Sequence, residues 1–256
     1  MPFLRNSLKM FLSITLMLAG SNHTLSGETQ TITLPKSISQ QTKALNQDFL
    51  LFSPEPLPER SKHPLLIYLH GGGGGRRKLD AFKKEHVVVE VQNRELPLKV
   101  VIPQRTVNRK VASGWQPHDL NLFLTYLIEN HAIDPDRVYL TGMSMGGAGT
   151  WFWANHSPKR FAAIAPIAAG GQTGPKDPLI VDPEQLKTIP IWAFHGSSDK
   201  VCPHQQIQDL VEKIKQRNGL IRWTLYDNVG HGNIVSRVYQ SDEFYKWLLH
   251  QNRTER

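Results

Sequence analysis

Ser144 stands between Gly142 and Gly146 in the stretch VYLTGMSMGGAGTW, where an apolar, strand-like run gives way to a helical pattern. If a strand over Val138–Thr141 turns sharply into a helix at Ser144, the hydroxyl projects above the sheet edge on a strained backbone. Glycine is then required two residues before and two after, because a Cβ at either place would strike neighbouring backbone. A serine held this way is a candidate nucleophile. It is a weak one unless a base takes its proton, and the base needs a carboxylate to orient it.

The chain offers both partners in the order acid, then histidine. IWAFHGSSDKVCP is an apolar strand pattern running into a loop that carries Asp199, and LYDNVGHGN is a further strand running into a loop that carries His231. Both lie at the carboxyl ends of strands, where α/β sheets gather ligands. Asp227 and His195 are rivals. His195 precedes the acid on the same segment and reads as structural.

The tetrahedral oxyanion of acyl transfer needs backbone N–H donors. Met145, directly after the serine and at the start of its helix, supplies one. The run LHGGGGG, Gly71 to Gly75, follows an earlier strand and supplies the second from Gly72 or Gly73. These glycines are no phosphate cradle: GGGGGRRKL lacks the lysine and hydroxyl of a P-loop, and the sixth place of G-x-G-x-x-G falls on Arg76. No cofactor is expected. The histidines show no metal-ligand spacing, so no metal is expected either. Trp115, in SGWQPHD, follows a strand end and is a candidate for lining the substrate pocket, with a core or rim position as the equal alternative. Of Trp151 and Trp153, two apart on a helix, one is expected in the core. Cys202 reads as a small buried residue, since a reactive thiol would need its own base.

These residues need a frame. Continuous apolar runs of strand length recur at PLLIYLH, LKVVIPQ, RVYLTG, FAAIAPIAA, IPIWAFHG and IRWTLYD, the pattern of strands buried on both faces. QDFLLFSP is a further strand, and the polar ETQTITLPK reads as an arm or edge strand. Helical spacing appears in DLNLFLTYLIENH, in MGGAGTWFWANHS, in PHQQIQDLVEKIKQRNG with Gly219 as its C-cap, and in DEFYKWLLHQ. Strands alternating with helices predict a mostly parallel central sheet with helices on both faces. Residues 27–256 read as a single α/β domain.

Residues 1–26 read differently. Arg5 and Lys9 precede the apolar MFLSITLMLAG, too short to span a bilayer, and small polar residues follow, which is the layout of a secretory signal peptide. The expectation is a secreted or periplasmic protein with no stable membrane span once the leader is removed. The formal net charge is +8, two units of it in the leader. That balance suits anionic surfaces or polymers, although GRRK and FKKEH read first as solvated loop and helix charges. No nucleic-acid partner is expected. The one cysteine excludes an internal disulfide. Oligomeric state is not legible.

The segments DPDRVYLTGMSMGGAGTWFWANHSPKRFAAIAPIAAGG and IPIWAFHGSSDKVCP resemble the α/β-hydrolase superfamily, above all secreted esterases and peptidases related to polyhydroxybutyrate depolymerases, feruloyl esterases and the prolyl oligopeptidase catalytic domain. The likeness runs from about Phe49 to the C-terminus. It implies the α/β-hydrolase fold without a large cap domain, Ser144 as nucleophile, Asp199 as acid, His231 as base and LHGG as the oxyanion loop. Two stretches depart from it: GHGNIVSR lacks an aromatic shortly after the histidine, and EHVVVEVQNRELPLKVV differs in its run into the next strand. The expected activity is hydrolysis of a small-molecule or polymer-linked carboxylic ester through an acyl-enzyme. A serine peptidase and a non-catalytic glycan-binding or polymer-binding protein are the alternatives.

Overall fold

The computed structural model describes residues 27–54, 61–106, 114–171, 174 and 176–255. The expected signal peptide lies outside them. Within them eight strands form one sheet: β1 (Glu28–Thr33), β2 (Asp48–Ser53), β3 (His63–Leu69), β4 (Lys99–Ile102), β5 (Ile133–Met143), β6 (Ala163–Ile167), β7 (Ile191–Gly196) and β8 (Ile221–Tyr226). Their spatial order is β1-β2-β4-β3-β5-β6-β7-β8. The edge pair β1–β2 and the β2–β4 contact are antiparallel, and every contact from β4 to β8 is parallel. The mostly parallel sheet and the polar edge strand over ETQTIT match the reading of the sequence.

Among the described residues eight α-helices accompany it: α1 (Lys36–Ser39), α2 (His86–Asn93), α3 (Pro117–Asn130), α4 (Met145–His156), α5 (Pro183–Leu186), α6 (Gln205–Lys215), α7 (Ile234–Tyr239) and α8 (Asp242–Leu249). Successive strand residues point to opposite faces, so β3 feeds two cores. Leu65, Ile67 and Leu69 join Leu120, Phe123, Trp151 and Ile207 of α3, α4 and α6 on one face. Leu66 and Tyr68 join Val87, Ile234, Val238 and Phe244 of α2, α7 and α8 on the other. All seven residues of β3 are buried. Among the described residues there is no large cap over the carboxyl ends of the strands, and no helix is long and apolar enough to cross a membrane.

The stretch EHVVVEVQN, which departs from the family pattern before the next strand, carries α2 over His86–Asn93, with Val87, Val88 and Val91 buried at helical spacing. Two local expectations are corrected. Trp151 and Trp153 are both in the core, because α4 is enclosed by the sheet on one side and by α3 and α5 on others. The left-handed residue ending the α6 segment is Asn218 (φ 57°), not Gly219. Asparagine tolerates that conformation through its short polar side chain, while Gly219 is needed because a Cβ would lie 2.4 Å from the Ile214 side chain.

Candidate active site

β5 ends at Met143 and α4 begins at Met145, so Ser144 alone makes the turn. Its φ of 59° and ψ of −117° lie outside the regions open to ordinary residues, a distortion worth about 1–3 kcal/mol. The local glycines make room for it. A Cβ on Gly142 would sit 2.5 Å from the Gly146 carbonyl oxygen, and one on Gly146 would sit 1.8 Å from the Leu69 carbonyl oxygen. The Ser144 N–H donates to Ile167 of β6 at 3.0 Å, and the Ser144 carbonyl accepts from Ala148 at 2.9 Å. The backbone is held at both ends and the side chain is left to the site.

β7 delivers Asp199. Its Oδ1 accepts the N–H groups of Val201 and Cys202, each at 2.9 Å, and its Oδ2 lies 2.7 Å from Nδ1 of His231. The loop after β8 delivers that histidine. With Nδ1 engaged by the carboxylate, Nε2 is the ring nitrogen free to exchange a proton with a reacting group. Asp227 is exposed at the same strand end, and it is Asp199 that pairs with His231.

His195 is fully buried, with Nε2 2.8 Å from the Cys202 carbonyl and 3.3 Å from Asp199 Oδ2. Burial lowers its pKa, so it is a neutral ring that donates from Nε2. It braces the acid loop, and its other nitrogen, Nδ1, is buried without a partner. Cys202 is also buried. Burial, followed by the Asp199 charge, pushes its thiol up to about 11, opposed by a hydrogen bond with the Ser144 side chain. Its thiol therefore borders the serine.

Ser144 and His231 line one cleft of about 570 Å³ together with Gly71, Gly72, Gly73, Gly74, Met143 and Val235. Among the described hydrogen bonds none joins the Ser144 hydroxyl to His231, and such bonds commonly tighten only with substrate in place. Gly71 is the closest of the run: its Cβ would lie 3.5 Å from the Ser144 Cβ, whereas Cβ atoms on Gly72 and Gly73 would meet nothing within 4 Å. Those two glycines therefore face open space in the cleft. The Met145 side chain packs on the core, and as the first residue of α4 its N–H has no partner in the helical ladder.

The glycine loop is supported by residues that pattern reading missed. His70 is buried, with Nδ1 2.8 Å from the Gly71 carbonyl and Nε2 accepting the Arg105 N–H at 3.1 Å. Burial lowers its pKa to about 4, so it is neutral. Gln104 donates to the carbonyls of Gly74 and Arg77 at 2.9 and 2.8 Å. Of the two positions open to Trp115, pocket wall and core, the structure shows the core: it is 3% exposed, its ring lies 4.7 Å from His70, and its Nε1 donates to the His70 carbonyl at 3.2 Å. It props the loop from below because the close approach of Gly149 leaves its ring a slot against α4. The signal for His70 was its place directly before five glycines. Among the described residues no group of three or more His, Cys, Asp or Glu side chains is placed to hold a metal ion.

The arrangement is a strained hydroxyl, a carboxylate-bound imidazole and exposed backbone donors around one cleft, the parts required for acyl transfer. Comparison with known proteins bears on the family and the fold. The model of the dienelactone hydrolase family matches residues 105–243. The bifunctional acetylxylan esterase/xylanase XynS20E of Neocallimastix patriciarum is 28% identical over 89 residues, 35% of this chain and 12% of its own. Poly(3-hydroxyalkanoate) depolymerase C of Paucimonas lemoignei is 54% identical over 41 residues, 16% of this chain and 10% of its own. The chain thus spans well under half the length of these curated relatives. Among solved structures, a thermostable esterase superposes with a TM-score of 0.70 at 27% identity, covering 89% of this chain and 63% of that one. A ferulic acid esterase superposes with a TM-score of 0.66 at 18% identity, covering 88% and 98%. That second likeness shows the α/β-hydrolase fold.

Proposed function

The chain belongs to the dienelactone hydrolase family, and from that premise we propose that it is a serine hydrolase that cleaves carboxylic esters through an acyl-enzyme. The observation that carries the reading is the convergence of three loops: Ser144 on its strained turn shares a cleft with His231, whose Nδ1 is bound by Asp199. The esterase names of the relatives support ester over amide, and an alcohol leaves more readily than an amine.

Ser144 Oγ attacks the ester carbonyl carbon as His231 Nε2 removes its proton. Asp199 fixes the tautomer with hydrogen on Nδ1 and steadies the imidazolium that forms. The Met145 N–H and a backbone N–H of Gly72 or Gly73 receive the oxyanion; one such donor is worth about 3 kcal/mol. His231 returns the proton to the departing alkoxide, and the alcohol leaves. Water then attacks the acyl carbon, its proton again taken by His231, and the acid is released with Ser144 regenerated.

The test is hydrolysis of nitrophenyl acetate by Ser144→Ala together with labelling by a fluorophosphonate probe. The variant should lose about a thousandfold or more in kcat, and only the parent should carry the label. Parent-level turnover by the variant would remove Ser144 from the mechanism. An unlabelled, inactive parent would favour a binding protein on this scaffold. Matched esters and amides of one acyl group separate esterase from peptidase. We further place the protein outside the cytoplasm, on the strength of the leader pattern in residues 1–26; N-terminal sequencing of the exported protein should begin within residues 20–27.

A further inference from the structure

One wall of the cleft is built from the segment that opens with GRRK and closes with FKKEH. Arg77, Glu85 and His86 of this segment line the cleft together with Tyr68 of β3. Folding brings the two halves of the segment together. Arg77 pairs with Glu85 and donates to the Ala81 carbonyl, its guanidinium lies 4.3 Å above the buried Phe82 ring, and Tyr68 donates to Glu85 at 3.3 Å. Gln104 holds the Arg77 carbonyl from behind. The rim is therefore a fixed part of the site.

Its charge is lopsided. Asp80 is taken by Lys83 and Glu85 by Arg77, so both acids of the segment are neutralised by its own cations. Arg76, Lys78 and Lys84 are exposed, and among the described ion pairs none engages them. Each adjoins a residue of the paired hub: Arg76 and Lys78 flank Arg77, and Lys84 precedes Glu85 and His86. A cationic rim beside a cleft concentrates an anionic substrate at the reacting serine.

We propose that this rim binds a polyanionic polysaccharide, and that the ester cleaved at Ser144 is a substituent on such a chain, as in an O-acylated polyuronate. The inference rests on the ester hydrolase reading and names the substrate class of that site. An anionic membrane is the weaker fit. Surface-binding segments combine cations with apolar residues that enter the headgroup layer, but the large exposed apolar residues among those described are Ile180, Val201 and Leu220, none of them in the segment. Single-stranded nucleic acid would ask for several exposed stacking rings, but the one Phe, Tyr or Trp of residues 76–86, Phe82, is buried, which leaves His86 as the one exposed ring of the segment.

The experiment compares kcat/KM on O-acetylated polygalacturonate, O-acetylated xylan and nitrophenyl acetate for the parent and for Arg76→Glu/Lys78→Glu/Lys84→Glu, at about 20 and about 300 mM NaCl, a range over which the screening length falls several-fold. Circular dichroism shows that the variant is folded. The ratio of polygalacturonate to nitrophenyl acetate turnover should fall about tenfold in the variant, and about as much in the parent at high salt. A ratio that moves with neither overturns the proposal while leaving the ester hydrolase standing. Preferential sedimentation of the parent with phosphatidylserine vesicles, with no retardation by polygalacturonate in affinity electrophoresis, overturns it in favour of a membrane surface. If no ester is cleaved, electrophoresis on unesterified polygalacturonate still reads the rim, and only the hydrolase reading fails.

Discussion

His195 Nε2 lies 3.3 Å from the same Asp199 oxygen that lies 2.7 Å from His231 Nδ1. Two histidines thus face one carboxylate oxygen, one buried and neutral behind it, one at the cleft in front. The rear histidine is a positioning residue: it ties the acid to the Cys202 carbonyl and shares the stabilisation of its charge. His195→Ala should lower kcat/KM about tenfold or more. It should also move the acid limb of the pH profile upward, because a carboxylate with one donor fewer attracts the proton on His231 more strongly. His195→Asn, which keeps a donor, should restore part of both. A role confined to packing would lower the melting temperature and leave the limb in place.

The glycines of the site divide by what a methyl group would meet. Gly146→Ala places a Cβ 1.8 Å from a backbone oxygen of β3, and neither element can retreat without breaking the sheet or the helix. It should fail to fold or melt far below the parent. Gly72→Ala meets nothing within 4 Å and should keep the parent melting temperature to within a few degrees. Any loss it shows should appear in turnover, through the approach of substrate to the loop. Thermal melts on the two variants check this directly.

Cys202 is buried with its thiol pushed up to about 11, so at pH 8 almost none of it is thiolate and what exists is out of reach. The native protein should resist iodoacetamide at pH 8 and react fully once unfolded in guanidinium. Cys202→Ser should remain folded, since the hydroxyl can keep the polar contact with Ser144. Rapid alkylation of the native protein would show that the 199–202 loop opens.

His70 couples the glycine loop to pH. Its folded pKa of about 4 lies below the ordinary 6.5, so the unfolded chain takes up the proton first as pH falls. Its contribution is present in full above pH 6.5 and is lost progressively down to about pH 4, where it has cost about 3 kcal/mol. His70→Asn should flatten the fall in melting temperature between pH 6.5 and 4. An unchanged slope would mean that other groups carry it.

Much of this was readable from the chain. Glycine spacing around Ser144 follows from backbone contact distances, and those contacts lie between parts of the chain that the β–turn–α pattern itself brings together. The apolar runs and the chain order Ser144, Asp199, His231 sufficed for the parallel sheet and the triad candidates. Helix α2 was not readable because three consecutive valines favour a strand by propensity, while the helix is held by burial of Val87, Val88 and Val91 against α7 and its neighbours.

What the sequence alone determined is local or ordinal: which residue sits on the turn, which residues follow strand ends, and which runs are buried. Only the tertiary structure decided that Asp199 and not Asp227 meets His231, that Trp115 supports His70 instead of facing the cleft, and that GRRK and FKKEH form one rim. The reason is physical. Periodicity and chain order reflect interactions within a few residues, whereas the direction in which a loop side chain points is settled by packing against elements far away in the chain.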